Sequence, residues 1–312
     1  MQNAGSWIVS KTAGRCLNKK TKGEKDMSND KEIRERVSKD YARAVTTQAD
    51  GGSACCGGTP AQKGVVAKLA GYTDAELAAL PPEAVVNSFG CGNPLAFSSV
   101  KEGQTVLDLG SGAGIDLLLA ARKVGPTGRV IGIDMTDEMI AKANENIAAS
   151  KLQNVEVRKG IIEELPVDTA SVDWVISNWV INLSPEKPRV FREIARVLKS
   201  GGTMMVSDIV AENLPTEVLK SPILHSSCVA GALSEKDYIA GLEAAGLIEV
   251  EVLNRLVYDS DQLESFIGSE LSELKESSGC CGSSAKGGEW AKKMASDLAG
   301  KIWSVKVKAR KS

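Results

Sequence analysis

Three glycines at alternate positions, Gly110, Gly112 and Gly114, follow an apolar run that carries an acid, Asp108; the next apolar run ends on a second acid, Asp134. Glycines let a ligand lie close against the backbone, where any Cβ would intrude. A helix opening behind them at about Ile115 offers free N–H groups and a positive dipole end. A carboxylate at the tip of the second strand is where a nucleotide's ribose hydroxyl pair is held, and an acid just before the turn suits a ligand amine. The spacing is G-x-G-x-G, not the G-x-G-x-x-G of dinucleotide binding, and no G-K-[S/T] of a P-loop is present. Alone the glycines fit an ordinary βα turn; with the strand, the helix and Asp134 they point to nucleotide binding.

The second set of reactive groups is sulfur. Seven cysteines include two adjacent pairs, Cys55–Cys56 and Cys280–Cys281. The first pair lies on a glycine-flanked loop, Gln48 to Thr59. Cys91 stands between two glycines in the loop before the first strand, and Cys228 follows a later strand of the same alternation. Two or three thiolates converging at one point make a soft-ion site. The alternative is that Cys91 and Cys228 are small buried apolar residues. With His225 the only histidine and no C-x-x-C pair, structural zinc is not supported. Cys280–Cys281 reads as a vicinal-thiol trap or as a solvated loop without a role in turnover.

The elements that must position these groups alternate. Strands are expected at Thr105–Leu109, Arg129–Ile133, Val155–Lys159, Val172–Ser177 and Thr203–Ile209, with helices from Ile115, at Asp137–Ala149 and at Pro185–Leu198. Such alternation implies parallel βαβ units, with ligand groups at the strand ends. Upstream, Asn29 to Val45 has helical spacing, and Thr73 with Glu76 marks a capping box on a short helix. A second short helix is expected at Pro82–Asn87. Later elements are helix Ser234–Ala245 and strands Leu247–Leu253 and Ile302–Val307. The division expected is a leader at 1–27, a nucleotide-binding domain at 28–250 and a smaller α+β region at 251–312.

Composition narrows the class. The net charge of −2 gives no field for nucleic acid or an anionic membrane. Aromatic content of 4% offers no stacking platform for single strands. No apolar run reaches the roughly 18 residues of a membrane span. An odd cysteine count beside a nucleotide fold argues for a reducing, cytoplasmic setting.

The glycine turn after Asp108 resembles that of the class I S-adenosylmethionine methyltransferases. There the glycines and first acid hold the amino-acid end, and the second acid holds the ribose. From about Val37 to Lys308 the chain more narrowly resembles the arsenite S-adenosylmethionine methyltransferases. The stretches that carry this are Asn87-Ser-Phe-Gly-Cys-Gly-Asn-Pro94, Leu107-Asp-Leu-Gly-Ser-Gly-Ala-Gly114, Gly132-Ile-Asp-Met-Thr136, Ser177-Asn-Trp-Val-Ile-Asn-Leu183 and Cys228-Val-Ala-Gly-Ala-Leu233. The resemblance implies an α/β fold: a class I, Rossmann-like doubly wound sheet with a smaller α+β carboxyl-terminal region. It implies methyl transfer from S-adenosylmethionine to trivalent arsenic held by cysteine thiolates. Cys91 and Cys228 match family cysteines that bind arsenic; Cys55 or Cys56 resembles the mobile amino-terminal one. The cofactor residues implied are Asp108, Gly110, Ser111, Gly112, Gly114, Asp134, Met135, Ile162, Glu163, Ser177 and Asn178. A thiol reductant, thioredoxin or glutathione, is implied as co-substrate, and a monomer with no nucleic-acid or membrane partner is expected.

The family usually has an arsenic-binding cysteine where this chain has Trp179. An indole cannot replace a thiolate. Inorganic, thiol-bound and already methylated arsenic therefore all stay open as acceptors. So do a methyltransferase of another small molecule and a non-catalytic thiol-based metalloid-binding protein.

Overall fold

The computed structural model describes residues 22–46, 72–78, 80–86, 93, 99–219, 228–264 and 292–312. The expectations for Cys55, Cys56, Cys91, Cys280, Cys281 and the greater part of the 1–27 leader lie outside them.

The chain opens on α1, Lys22–Thr46, followed by the short helices α2, Asp74–Ala78, and α3, Pro82–Val86. The alternation then runs β1 (Thr105–Leu109), α4 (Ile115–Val124), β2 (Arg129–Asp134), α5 (Asp137–Ser150), β3 (Val155–Lys159), β4 (Val172–Asn178), α6 (Lys187–Val197) and β5 (Leu198–Ala211). After the single turn α7 (Thr216–Leu219) come α8 (Glu235–Ala244), β6 (Leu247–Val257) and β7 (Ile302–Lys311). Seven strands form one sheet in the order β3-β2-β1-β4-β5-β7-β6. The first five are parallel, and β7 inserts antiparallel between β5 and β6.

Several boundaries differ from expectation. Strand β5 begins at Leu198, five residues before Thr203, because Leu198 already pairs with Val172, and α6 stops at Val197. Helix α1 begins at Lys22, inside the expected leader and seven residues before Asn29. Strands β6 and β7 each run four residues further than their apolar patterns. The reason is pairing: each gains partners from the other, Asn254↔Lys306 through Val257↔Trp303 for the end of β6 and Leu247↔Lys311, Ile248↔Arg310 and Glu251↔Lys308 for the end of β7, which no local period encodes. The division expected at 250/251 falls inside β6. The final strand completes the central sheet, with nine register pairs to β5 from Thr203↔Arg310 to Ala211↔Ile302.

Alternation along each strand feeds two apolar layers. Leu107 and Leu109 of β1 face the layer of α6 and α8, while Val106 faces the layer of α4. Helix α6 turns Val190, Phe191, Ile194, Ala195 and Val197 inward, as a one-sided apolar stripe must. Pro188 sits in its first turn, where a missing N–H costs nothing. Phe191 meets Tyr238 of α8 edge-on at 5.3 Å, a contact worth about 1 kcal/mol beyond area burial. The expected capping box is present: Glu76 N–H donates to Thr73 Oγ1 at 3.2 Å, and Thr73 N–H donates to Glu76 Oε2 at 2.8 Å. Among the described residues no helix is long and apolar enough to cross a membrane.

Candidate active site

Parallel strands end together, and their connecting turns must leave the sheet at the same edge. At that edge a cleft of about 960 Å³, its open mouth included, lies over β1, β2 and β4. Asp108, Gly110, Ser111, Gly112, Asp134, Met135, Ile162, Glu163 and Asn178, all expected cofactor residues, line it. Gly114 and Ser177 do not. Gly114 is the left-handed cap that opens α4, with φ +93°. Ser177 is buried, with its hydroxyl turned to the Leu109 carbonyl at 3.5 Å.

The glycine turn owes its shape to two positions. Gly110 has φ +65°, and a Cβ there would run into the Val180 side chain. Gly112 has φ +51° and open space where a Cβ would stand, so a ligand can lie against its backbone. Its N–H donates to Asp134 Oδ2 at 2.9 Å, while Asp134 Oδ1 accepts from Thr136 N–H at 2.9 Å. Asp134 thus ties the glycine turn to Thr136 at the mouth of α5, and lines the cleft itself. Ser111 Oγ is buried beside it with no hydrogen-bond partner.

Carboxyl groups are concentrated here. Burial pushes the Asp108 carboxyl well above the ordinary range, and the charges of Asp116 and Asp134 push it further. Burial raises Asp116 to about 6, against hydrogen bonds from Tyr72 and Asn178 that pull it down. Burial raises Asp134 too, opposed by the backbone N–H groups of Thr136 and Gly112. Tyr72 donates to Asp116 Oδ1 at 2.9 Å, and Asn178 Nδ2 donates to Tyr72 Oη at 3.0 Å and Asp116 Oδ2 at 3.2 Å. Burial and Asp116 push the Tyr72 phenol up, so it stays a donor. Two buried carboxylates and a half-buried third at one cleft favour a cation, which would relieve all three at once.

Several contributors escaped the sequence reading. Arg34, Val37 and Tyr41 of α1 line the cleft from the far end of the described chain. Arg34 Nη1 lies 3.0 Å from Glu163 Oε1 and 3.4 Å from Glu186 Oε2. Ser184 Oγ also donates to Glu163, at 2.7 Å. Glu163, expected to face a cofactor, is therefore committed to tying α1 and the β4–α6 connection to the cleft floor. Asp116 had a legible signal: an acid in the first turn of a helix otherwise made of Ile115, Leu117, Leu118 and Leu119. The reach of Arg34 across 129 residues had none.

The wall after β4 is different in kind. Trp179 lines the cleft and is 6% exposed, in a left-handed backbone with φ +65°. Its N–H donates to the Ser207 carbonyl at 2.9 Å, and its carbonyl accepts from the Cys228 thiol at 2.8 Å. Cys228 is fully buried behind it, in an apolar cluster with Trp179, Leu183, Ile209 and Val229, and is absent from the cleft lining. Below, Asn182 donates to Asp208 at 2.8 Å, and buried Lys187 donates to the Asn182 and Ser184 carbonyls at 3.1 and 2.9 Å. Burial lifts Asp208 to about 7, with Lys187 among the groups opposing it. Among the described residues no group of three or more His, Cys, Asp or Glu is arranged to hold a metal ion.

Comparison with known proteins agrees with this geometry. Residues 100–246 match a family described as a methyltransferase domain. The arsenite methyltransferase of Halobacterium salinarum is 43% identical over 258 residues, covering 76% of this chain and 65% of the relative. That of Rattus norvegicus is 35% identical over 251 residues, covering 77% and 66%. The chain thus spans just under two thirds of the length of these curated relatives. Among solved structures, an arsenic (III) S-adenosylmethionine methyltransferase from Chlamydomonas reinhardtii superposes with a TM-score of 0.58 at 32% identity, over 76% of this chain and 71% of that one. The sheet, the glycine turn and its acids are those of the class I, Rossmann-like methyltransferase fold, and the chain belongs to the arsenite S-adenosylmethionine methyltransferase family.

Proposed function

We propose that this protein transfers methyl groups from S-adenosylmethionine to trivalent arsenic held by cysteine thiolates. The observation that carries the reading is the cleft with Asp108 and Asp116 buried and Asp134 half-buried around a glycine turn. A nucleoside that carries both a sulfonium and an ammonium matches that charge. The chain's own groups also fit its other parts. Asp134 lines the cleft at the end of β2, where a ribose diol would lie, Gly112 leaves open backbone, and the Ser111 hydroxyl has no partner of its own.

When bound, S-adenosylmethionine supplies an electrophilic methyl on sulfur. Arsenite exchanges hydroxyls for cysteine sulfur: each thiol forms an As–S bond, and its proton leaves with the displaced hydroxyl as water. Cys91 and Cys228 are the proposed ligands, and Cys55 or Cys56 delivers the metalloid or takes a ligand position. The arsenic lone pair forms the new As–C bond while the S–C bond breaks with its electron pair going to sulfur. No general base is needed, which suits a chain with a single histidine. The protein's part is alignment, which can lower a barrier by about 7 kcal/mol or more. Donating the lone pair takes arsenic from the trivalent to the pentavalent state. Two electrons must then return, and a dithiol becoming a disulfide supplies them. A thiol reductant, thioredoxin or glutathione, and a monomeric protein in the cytoplasm are part of the same proposal.

The test is methyl transfer with arsenite and trivalent methylarsenite as parallel acceptors in excess thiol, read as methylated arsenic by chromatography with elemental detection. Turnover of either acceptor, lost in Asp108→Asn and Asp134→Ala, is the expected result. Binding of S-adenosylmethionine without any methylated arsenic would sink the reading.

A further inference from the structure

Trp179 is bulky, and a bulky side chain at positive φ is a strained outlier. Such strain persists only where surrounding contacts hold it, and it gathers at functional sites. Here the contacts are explicit. The Ser207 carbonyl takes the Trp179 N–H at 2.9 Å, and the Cys228 thiol donates to its carbonyl at 2.8 Å. Trp179 lines the cleft, whereas Cys228, whose thiol meets the Trp179 carbonyl, is 0% exposed and does not line it. Cys228 has positive φ as well, +62°. The two residues therefore meet in unusual backbone conformations within one apolar cluster, Trp179 belonging to the cleft lining and Cys228 not.

From this placement we infer that Trp179 is the specificity-determining partition between the cofactor cleft and Cys228. Its indole sets how large an acceptor can lie between the sulfur and the transferred methyl. The inference rests on the proposed role of Cys228 as acceptor ligand, but the partition itself is a matter of access. A small trivalent species fits beside the indole; an aryl-substituted one collides with it. The residue acts by volume, so phenylalanine at this position keeps much of the partition and alanine removes it.

The experiment follows Cys228 by peptide mapping after timed alkylation with iodoacetamide and with the larger N-phenylmaleimide. It uses the wild-type chain, Trp179→Phe and Trp179→Ala, each with and without S-adenosylhomocysteine. A buried thiol reacts only through local opening, so removing the partition should speed Cys228 modification in Trp179→Ala by about tenfold or more, most for the larger reagent. S-adenosylhomocysteine in the cleft should slow it again, and Trp179→Phe should stay near wild type. Unaltered melting temperature in Trp179→Ala separates an opened partition from a loosened fold. In parallel, the ratio of turnover on phenylarsenite to turnover on arsenite should rise in Trp179→Ala. Equal alkylation rates in all three proteins, or no protection by S-adenosylhomocysteine, overturns the partition. The alkylation pattern without methylation of any arsenical leaves the partition standing and removes the proposed function instead.

Discussion

The two sides of the cleft are built on opposite plans. The β1–β2 side is polar and braced by backbone: Asp134 holds two N–H groups, and the turn needs glycine at φ +65° and +51°. The β4–α6 side is apolar and braced by burial: Trp179, Leu183 and Cys228 share one cluster, and its polar groups lie underneath, on Asp208 and Lys187. The first side is complementary to charge and hydrogen bonds, which are directional and common to every substrate of the fold. The second discriminates by shape, which can change without disturbing the sheet. A family can therefore hold one side fixed and vary its acceptor on the other.

The hardest test of the polar side is Asp134→Ala. It strips the brace from Gly112 and Thr136 and removes the carboxylate offered to a ribose. Bonds to a charged acceptor are worth about 1.5 kcal/mol or more each, so two lost come to roughly 3 kcal/mol. That is about a hundredfold in S-adenosylmethionine affinity, readable by calorimetry. A loss of less than about fivefold, under 1 kcal/mol, would mean that this side is not the recognition surface.

This asymmetry also explains what the sequence disclosed. The strands β1 to β4, the glycine turn, Asp134 and the Thr73–Glu76 capping box were legible because each is a local pattern with a local cause. Arg34, Tyr72 and the position of β7 were not. Arg34 finds Glu163 across 129 residues, and β7 enters between β5 and β6 by long-range pairing. Trp179 was legible as a departure from the family's cysteine at that position; its left-handed backbone, held by contacts to Ser207 and Cys228, is foretold by no spacing. Whether Cys91 reaches this wall lies outside the described residues.

Charge should also make the polar side answer to pH where the apolar wall does not. Asp116 sits at about 6 without ligand, raised chiefly by burial, and Asp108 is pushed up alongside it. A bound cation favours the ionised carboxylates and lowers both. Binding below about pH 6 must therefore release protons, and affinity must fall as the pH drops through that value. One linked proton gives roughly tenfold per pH unit, so S-adenosylmethionine should bind about tenfold more weakly at pH 5 than at pH 7. Calorimetry in buffers of different ionisation enthalpy counts the protons. Asp116→Asn should flatten the dependence. An affinity constant from pH 5 to 8 would show that the cation does not face these groups.

The smallest effect separates recognition from stability on the same side. Ser111 Oγ is buried without a partner, so in the ligand-free protein it carries a desolvation cost and returns nothing. Ser111→Ala should leave thermal stability unchanged or slightly higher, an unusual result for a buried position. If the hydroxyl finds its partner on the ligand, the same change removes one neutral hydrogen bond, about 1 kcal/mol, and weakens S-adenosylmethionine roughly fivefold. The two measurements move in opposite directions only if the cleft is built for a bound state. Lower stability with unchanged affinity would instead place the hydroxyl in the packing of the turn, against the close approach of Gly132, whose missing Cβ would meet Ser111 Oγ at 2.7 Å.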